Sequence, residues 1–308
     1  MKLAYLFSGQ GSQFPGMGQD LYNEFKSVRS LFQSASAILG YAAEDMMFNS
    51  NEETLANTQY SQPMIYLLSM SAWTAFSETY PHVSPSALAG HSLGEYGALT
   101  AGGMMDFEPA LQLLQRRGEA MSKYGSGSMC AAMSGDGKML EEMCRSVDGY
   151  VRPVNYNSSV QTVLAGEAQA IQKICALLSE KGIKTVPLKV SGAFHSKLMD
   201  QAATAFERST GIIHTGTLSA DFYSNVTGAK IESFDAFGGL MPYLVKHITS
   251  PVLFADELTA MENGGIDLFI EFGPGKTLSS FVKRTVKGAK SFNVESCKSL
   301  EKCASQLQ

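Results

Sequence analysis

The chain has 308 residues with a formal net charge of -5, 44% of them hydrophobic and 17% charged. That length suits one large domain with an insert, or two domains, and the apolar share fits a globular protein with a sizeable core. The acidic balance excludes a general nucleic-acid binder, which needs a basic excess to neutralise phosphates.

Lys2–Phe7 reads as a first strand, and its apolar run Leu3–Phe7 is too short for a signal peptide. A Gly9-Gln10-Gly11-Ser12-Gln13 loop follows, then helical segments to about Tyr80. Gln62-Pro63 is expected to open an apolar helix through Phe76, with Pro63 in its first turn. Ser69, Ser71 and Thr74 interrupt that stretch, which falls short of a membrane span.

A buried strand at Ala87–Gly90 then feeds Gly90-His91-Ser92-Leu93-Gly94. These residues fit the Gly-x-Ser-x-Gly elbow, a sharp strand-to-helix turn that exposes a serine. Gly90 and Gly94 suit it, because a Cβ at either place would collide where strand and helix cross. The free N–H groups of the helix start point at Ser92, so an anion forming there meets positive partial charge. The elbow helix is expected to stop at Gly102-Gly103. Asp106 caps the next helix, which runs to Tyr124 and ends at Gly125-Ser126-Gly127-Ser128, an expected linker.

In that helix Phe107, Leu111, Leu114 and Met121 form an apolar stripe. At about 100° per residue, Arg117 flanks the stripe while Arg116 points away. A partly buried Arg117 needs an anionic partner. An internal acid is the plainer reading; a substrate carboxylate, which the bidentate fork suits, is the other.

Beyond the linker the pattern changes. Met129–Met133 reads as a strand, Lys138–Ser146 as a helix, Val151–Asn155 and Thr162–Ala165 as strands, Glu167–Lys181 as a helix and Ile183–Val190 as a strand. That order, βαββαβ, is the ferredoxin-like split unit, expected as a small domain over 128–190 inserted between 1–127 and 191–308. The five cysteines (Cys130, Cys144, Cys175, Cys297, Cys303) never show Cys-x-x-Cys spacing and read as reduced thiols of a cytoplasmic protein without a metal site. The chain returns through Gly192 to a helix from His195, and later to a strand at Leu268–Glu271 ahead of Gly273-Pro274-Gly275. Strands alternating with helices on both sides of the insert imply a parallel α/β sheet with the nucleophile at its carboxyl edge.

A serine hydroxyl needs a base within hydrogen-bond reach. His91 leaves the turn in another direction, His82 and His214 lie in unpatterned segments, and His247 sits near an expected helix end. His195, in Ser191-Gly192-Ala193-Phe194-His195-Ser196, stands where a helix begins with Leu198, Ala202 and Phe206 on one face. A helix N-terminus would keep its imidazole neutral and ready to accept a proton. Alone, the position suits an ordinary helix residue equally well; beside an elbow serine, the base reading wins. Asp256 and Asp267 follow His195, whereas α/β-hydrolases run serine, acid, histidine. A Ser–His dyad is therefore expected, with a backbone carbonyl holding Nδ1.

Phe7-Ser8-Gly9-Gln10-Gly11-Ser12-Gln13, Gly90–Tyr96, Arg117-Gly118, Val154-Asn155-Tyr156-Asn157-Ser158, Gly192–Ser196 and Glu271–Gly275 resemble, in order, the malonyl-CoA:acyl carrier protein transacylases. The resemblance spans nearly the whole chain. It implies an α/β-hydrolase-like domain with a ferredoxin-like insert, and a ping-pong enzyme that supplies malonyl units for fatty acid synthesis. It further implies Ser92 as acylated nucleophile, His195 as base, and Arg117 as binder of the malonyl carboxylate. Backbone N–H groups of Gln10 and Leu93 would form the oxyanion hole, and the carbonyl orienting His195 would come from Leu253 in Ser250-Pro251-Val252-Leu253. The implied partners are malonyl-CoA and an acyl carrier protein, with no cofactor, no metal, no nucleic acid and no membrane, the chain acting as a monomer.

Three residues depart from the family pattern: Ser8 where many members have Pro, Gly97 where many have Ser, and Leu253 where Gln is common. Phe194 resembles the malonyl-selective enzymes of polyketide synthesis, so a free-standing acyltransferase of that pathway is the nearest rival. A serine esterase and a carrier-docking module with a vestigial site are the rivals of other classes. The complete set of Ser92, His195 and Arg117 counts against the last.

Overall fold

The computed structural model describes residues 2–211 and 213–305. Its strands are β1 (Leu3–Phe7), β2 (Ala87–Gly90), β3 (Ser128–Ala132), β4 (Val151–Ser158) and β5 (Gln161–Gly166). Then come β6 (Thr185–Pro187), β7 (Asp221–Ser224), β8 (Ala229–Ile231), β9 (Leu268–Phe272) and β10 (Lys290–Val294). They form a six-stranded sheet in the order β10-β9-β1-β2-β7-β8 and a four-stranded sheet in the order β4-β5-β3-β6. The large sheet is parallel except at its edge, where β8 runs antiparallel to β7.

Central parallel strands must be covered on both faces, which explains why β1 is apolar without interruption. Tyr5 and Phe7 enter the larger core, on the side of the helices Thr58–Thr79 and Phe107–Tyr124. Ala4 and Leu6 point into a second core with Phe254, Leu258 and Phe281. The helix holding Pro63 begins a turn earlier than the sequence suggests, at Thr58, because Asn57 Oδ1 accepts from Gln59 N–H and caps it. Nearly all of its first nineteen residues are buried, so no amphipathic pattern marks its start.

The four-stranded sheet is antiparallel throughout. The helices Gly137–Arg145 and Ala168–Glu180 cover one face, their Leu140, Ile174 and Leu178 packing on Cys130 and Leu164 of the sheet. From the other face Met129, Ala131, Val163 and Ala165 join the main core. β6 is shorter than the expected Ile183–Val190, and it ends at Pro187, which has no N–H for a ladder. Val252 N–H donates to Val154 O at 2.7 Å and Tyr156 N–H to Val252 O at 2.8 Å, so β4 is tied to the segment behind the histidine site. Among the described residues no helix is long and apolar enough to cross a membrane.

Candidate active site

Three neighbouring parallel strands deliver loops to one edge. β1 leads to Gln10, β2 to Ser92 and β7 to Asn225. The elbow depends on its glycines: a Cβ on Gly90 would overlap the Gly94 carbonyl, and one on Gly94 would overlap the Phe7 carbonyl. Gly97, one of the departures from the family pattern, leaves room for the Phe7 ring, whose Cδ1 would stand 2.7 Å from an added Cβ. Ser8, another, donates from Oγ to the buried Glu271 carboxyl at 3.2 Å.

Ser92 Oγ lies 2.8 Å from His195 Nε2. His195 Nδ1 lies 3.1 Å from the His247 carbonyl oxygen and 3.0 Å from that of Ser250. Two acceptors put the ring proton on Nδ1, which leaves the Nε2 lone pair facing the serine. The orienting carbonyls are therefore those of His247 and Ser250, and Leu253 does not serve. Its own N–H is committed to Asn225 O at 2.9 Å, at the start of the next helix. The end of the helix Leu240–Thr249 explains the substitution. Terminal carbonyls lack helical partners, and proline at 251 has no N–H to offer the His247 carbonyl four residues back. The next carbonyl, of Ile248, accepts from His195 N–H at 3.2 Å.

His195 is not at a helix start, contrary to the sequence reading. Ser196 caps a short 3₁₀ turn, Lys197–Met199, and the α-helix begins at Asp200. His195 instead has φ 61° and Ser92 φ 54°, the only non-glycine residues with positive φ among those described. What holds the His195 pKa down to about 3 is burial first, then the charge of Arg117 and the neighbouring His91. His195 is thus a neutral base at ordinary pH.

Arg117 is buried, 1% exposed. It donates from Nη1 to Gln62 Oε1 at 2.7 Å and from Nη2 to Ser92 Oγ at 3.2 Å, and its Nε has no partner among the described residues. Among the described residues no carboxylate forms a salt bridge with it. The internal ion pair, the plainer reading of the sequence, is not formed: Glu95 is engaged by Tyr243 and Asn225 N–H. A cleft of 1120 Å³ opens over Gln10, Gln62, His91, Ser92, Arg117 and His195. Neither Gln10 N–H nor Leu93 N–H makes a hydrogen bond among the described residues, which leaves both free as donors. Sequence reasoning missed Gln62, Asn225 and the role of His247. Each stands alone in its segment, with only its tertiary neighbours to mark it.

His247 Nε2 lies 3.8 Å from Glu95 Oε2, both fully buried. This is a neutral contact, since burial raises Glu95 to about 8 and pushes His247 well below its usual range. A stability profile follows. His195 and His247 stay neutral in the fold and burial makes His91 harder to protonate, so the unfolded chain binds more protons once pH drops below 6.5. Glu95, Glu257 and Glu271 have raised pKa values, so they favour the fold below 4.5 and cost stability as pH rises through their folded values, about 7 for Glu271. Between 4.5 and 6.5 the two sets oppose each other. Urea unfolding is expected to show a plateau there and a decline toward pH 8. Below 4.5 it should show a steeper loss, about 1.4 kcal/mol per pH unit for each histidine still neutral in the fold. A maximum at pH 8 or above would show that the glutamates are ionised in the fold.

A parallel α/β sheet with a serine–histidine pair at its carboxyl edge and a free buried cation beside the serine has the form of a serine acyl-transfer enzyme. The chain belongs to the acyl transferase domain family, whose family model matches residues 4–304. It is 33% identical over 308 residues to the malonyl CoA-acyl carrier protein transacylase of Bacillus subtilis (strain 168), covering 97% of this chain and 95% of that protein. The crystal structure of the malonyl CoA-acyl carrier protein transacylase from Clostridium perfringens matches with a TM-score of 0.92 at 35% identity, over 100% of this chain and 97% of that one. A malonyl-transacylase solved in complex with a type II PKS acyl-carrier protein matches with a TM-score of 0.92 at 32% identity, over 99% of this chain and 100% of that one.

Proposed function

We propose that this enzyme transfers a malonyl group from malonyl-CoA to the phosphopantetheine thiol of an acyl carrier protein, through malonyl-Ser92. The observation that carries the reading is Arg117, a buried cation without an acidic partner among the described residues, 3.2 Å from the nucleophile oxygen. A malonyl group esterified to Ser92 ends in a carboxylate, and the guanidinium edge is the complement to it.

The steps follow from the geometry. His195 Nε2 takes the Ser92 proton as Oγ attacks the thioester carbonyl, and the N–H groups of Gln10 and Leu93 stabilise the tetrahedral oxyanion. The protonated His195, held by the carbonyls of His247 and Ser250, then gives its proton to the departing CoA thiolate. The carrier's thiol attacks malonyl-Ser92 by the reverse sequence, with His195 again accepting and returning a proton. Intact-protein mass spectrometry tests this: malonyl-CoA should add one malonyl group, and carrier protein should remove it as malonyl-carrier.

Fatty acid synthesis is the main reading of the pathway. The match to a polyketide transacylase keeps supply of a polyketide carrier as the second reading. Ser92, His195 and Arg117 meet within one chain, so a single copy suffices for the proposed steps. We also read 128–190 as a ferredoxin-like insert in an α/β-hydrolase-like domain; the strand order β4-β5-β3-β6, with both helices on one face, supports it.

An acidic carrier would need a basic patch on this acidic chain. Lys276, Lys283, Arg284, Lys287 and Lys290 are exposed on and either side of the helix Thr277–Thr285. Ser12 Oγ lies 3.0 Å from Thr277 Oγ1, which brings that helix beside the Gln10–Gln13 loop at the cleft rim. Charge reversal at Lys283 and Arg284 is expected to raise the KM for carrier protein and leave that for malonyl-CoA unchanged. An unchanged carrier KM would move docking to another face.

A further inference from the structure

We propose that Asn225 is the positioning residue that locks the Ser92 elbow in register with the histidine side of the site, an inference that rests on Ser92 and His195 acting as nucleophile and base. Asn225 follows β7 directly and is fully buried. Its Oδ1 accepts from Ser92 N–H at 2.7 Å, and its Nδ2 donates to Gly90 O at 2.7 Å and to Glu257 Oε1 at 2.8 Å. A backbone N–H on one side and a carbonyl on the other leave no choice in how the amide is turned.

The main chain of Asn225 extends the contact in two directions. Its N–H donates to Glu95 Oε1 at 2.6 Å, in the helix that leaves the elbow, and its carbonyl accepts from Leu253 N–H at 2.9 Å. Toward the base, His247 Nε2 lies 3.2 Å from Asn225 Oδ1, and the carbonyl of this same His247 receives the proton of His195 Nδ1. Asn225 thus touches the end of β2, the nucleophile's own peptide, the elbow helix and the residue that orients the base. It does not line the cleft, so it acts through these groups and not on substrate.

The need for such a residue is set by the backbone. A non-glycine residue at φ 54° is unfavourable and persists only where neighbours over-determine it. The Asn225 bond is the one that the Ser92 N–H makes among the described residues. A short amide is suited to the place, because it accepts from two groups and donates to two others at once. An aspartate could keep the first bond and would lose the amide donors. Alanine would lose every one of these side-chain bonds.

The test is the rate of Ser92 malonylation, followed by quenched-flow intact mass against malonyl-CoA concentration, so that limiting rate and half-saturation are read separately. Asn225→Ala is expected to lower the limiting rate about 10²-fold, the scale of an ångström of misplacement, with half-saturation unchanged because Arg117 and Gln62 remain. Asn225→Asp, which keeps the acceptor for Ser92 N–H, should recover part of the rate. Thermal unfolding of each variant gives the fraction folded at the assay temperature. A limiting rate equal to wild type, a loss confined to half-saturation, or a loss that only tracks the folded fraction would overturn the proposal. If the alanine protein does not fold, the aspartate protein decides by the same criteria. Wild-type protein that gains no malonyl mass would instead overturn the reading of Ser92.

Discussion

Ser92→Ala is expected to gain no mass from malonyl-CoA under conditions where the wild type is fully malonylated. The substitution removes the hydroxyl that stands 2.8 Å from His195 Nε2 and accepts from Arg117 at 3.2 Å, while the elbow's glycines and the Asn225 bond to its backbone remain. The fold should therefore survive, and circular dichroism should not change. His195→Ala is a second arm. It leaves the nucleophile in place without a base, so transfer should fall by about 10²–10⁴ if only general-base help is lost. Because burial and Arg117 already keep His195 neutral, raising the pH from 6 to 8 should not rescue wild-type acylation in the way it would for a histidine titrating at 6.5. Malonylation of the alanine protein at the wild-type rate would place the nucleophile elsewhere.

Arg117→Ala is expected to divide the substrates. With the cation gone, a malonyl carboxylate would be buried unpaired, a cost of about 3–5 kcal/mol, or roughly 10²–10⁴ in malonyl transfer. Acetyl transfer should hold or improve, since an uncharged acyl group no longer faces an uncompensated guanidinium. Lysine should rescue little, because a point charge cannot reproduce a two-pronged grip. The vacant hydrogen bond to Gln62 Oε1 makes a stability control necessary. An equal fall in malonyl and acetyl transfer together with a lowered melting temperature would make Arg117 a structural anchor.

The elbow was legible because its chemistry is local: two glycines and a serine within five residues, directly after an apolar strand, suit a sharp turn from strand into helix, although a Gly-rich turn could carry the same five residues. Arg117 was legible as a cation beside an apolar stripe. Its state was not, since whether an acid reaches it depends on where Glu95 and Gln62 fold. His195 was found on a partly mistaken argument. The helix begins several residues later, and burial does what the helix dipole was expected to do. Leu253 failed because the free carbonyls at a helix end depend on which residue lacks an N–H, and that residue is Pro251. The strands β7, β8 and β10 are short or half-covered and carry no clean alternation. With β7 unseen, Asn225 had no place in any sequence-derived site.

The strand order has a consequence for how the chain comes together. β1 sits between β2 and β9, and its register with β9 pairs Leu3 with Leu268. β1 therefore waits, with one side unpaired, until β9 has been made. Closing so long a loop costs entropy before any contact rewards it, which makes slow folding the expected behaviour. On the ribosome, the nascent chain would present an open, apolar strand edge for most of its synthesis, the kind of surface that chaperones hold and that aggregates when they do not.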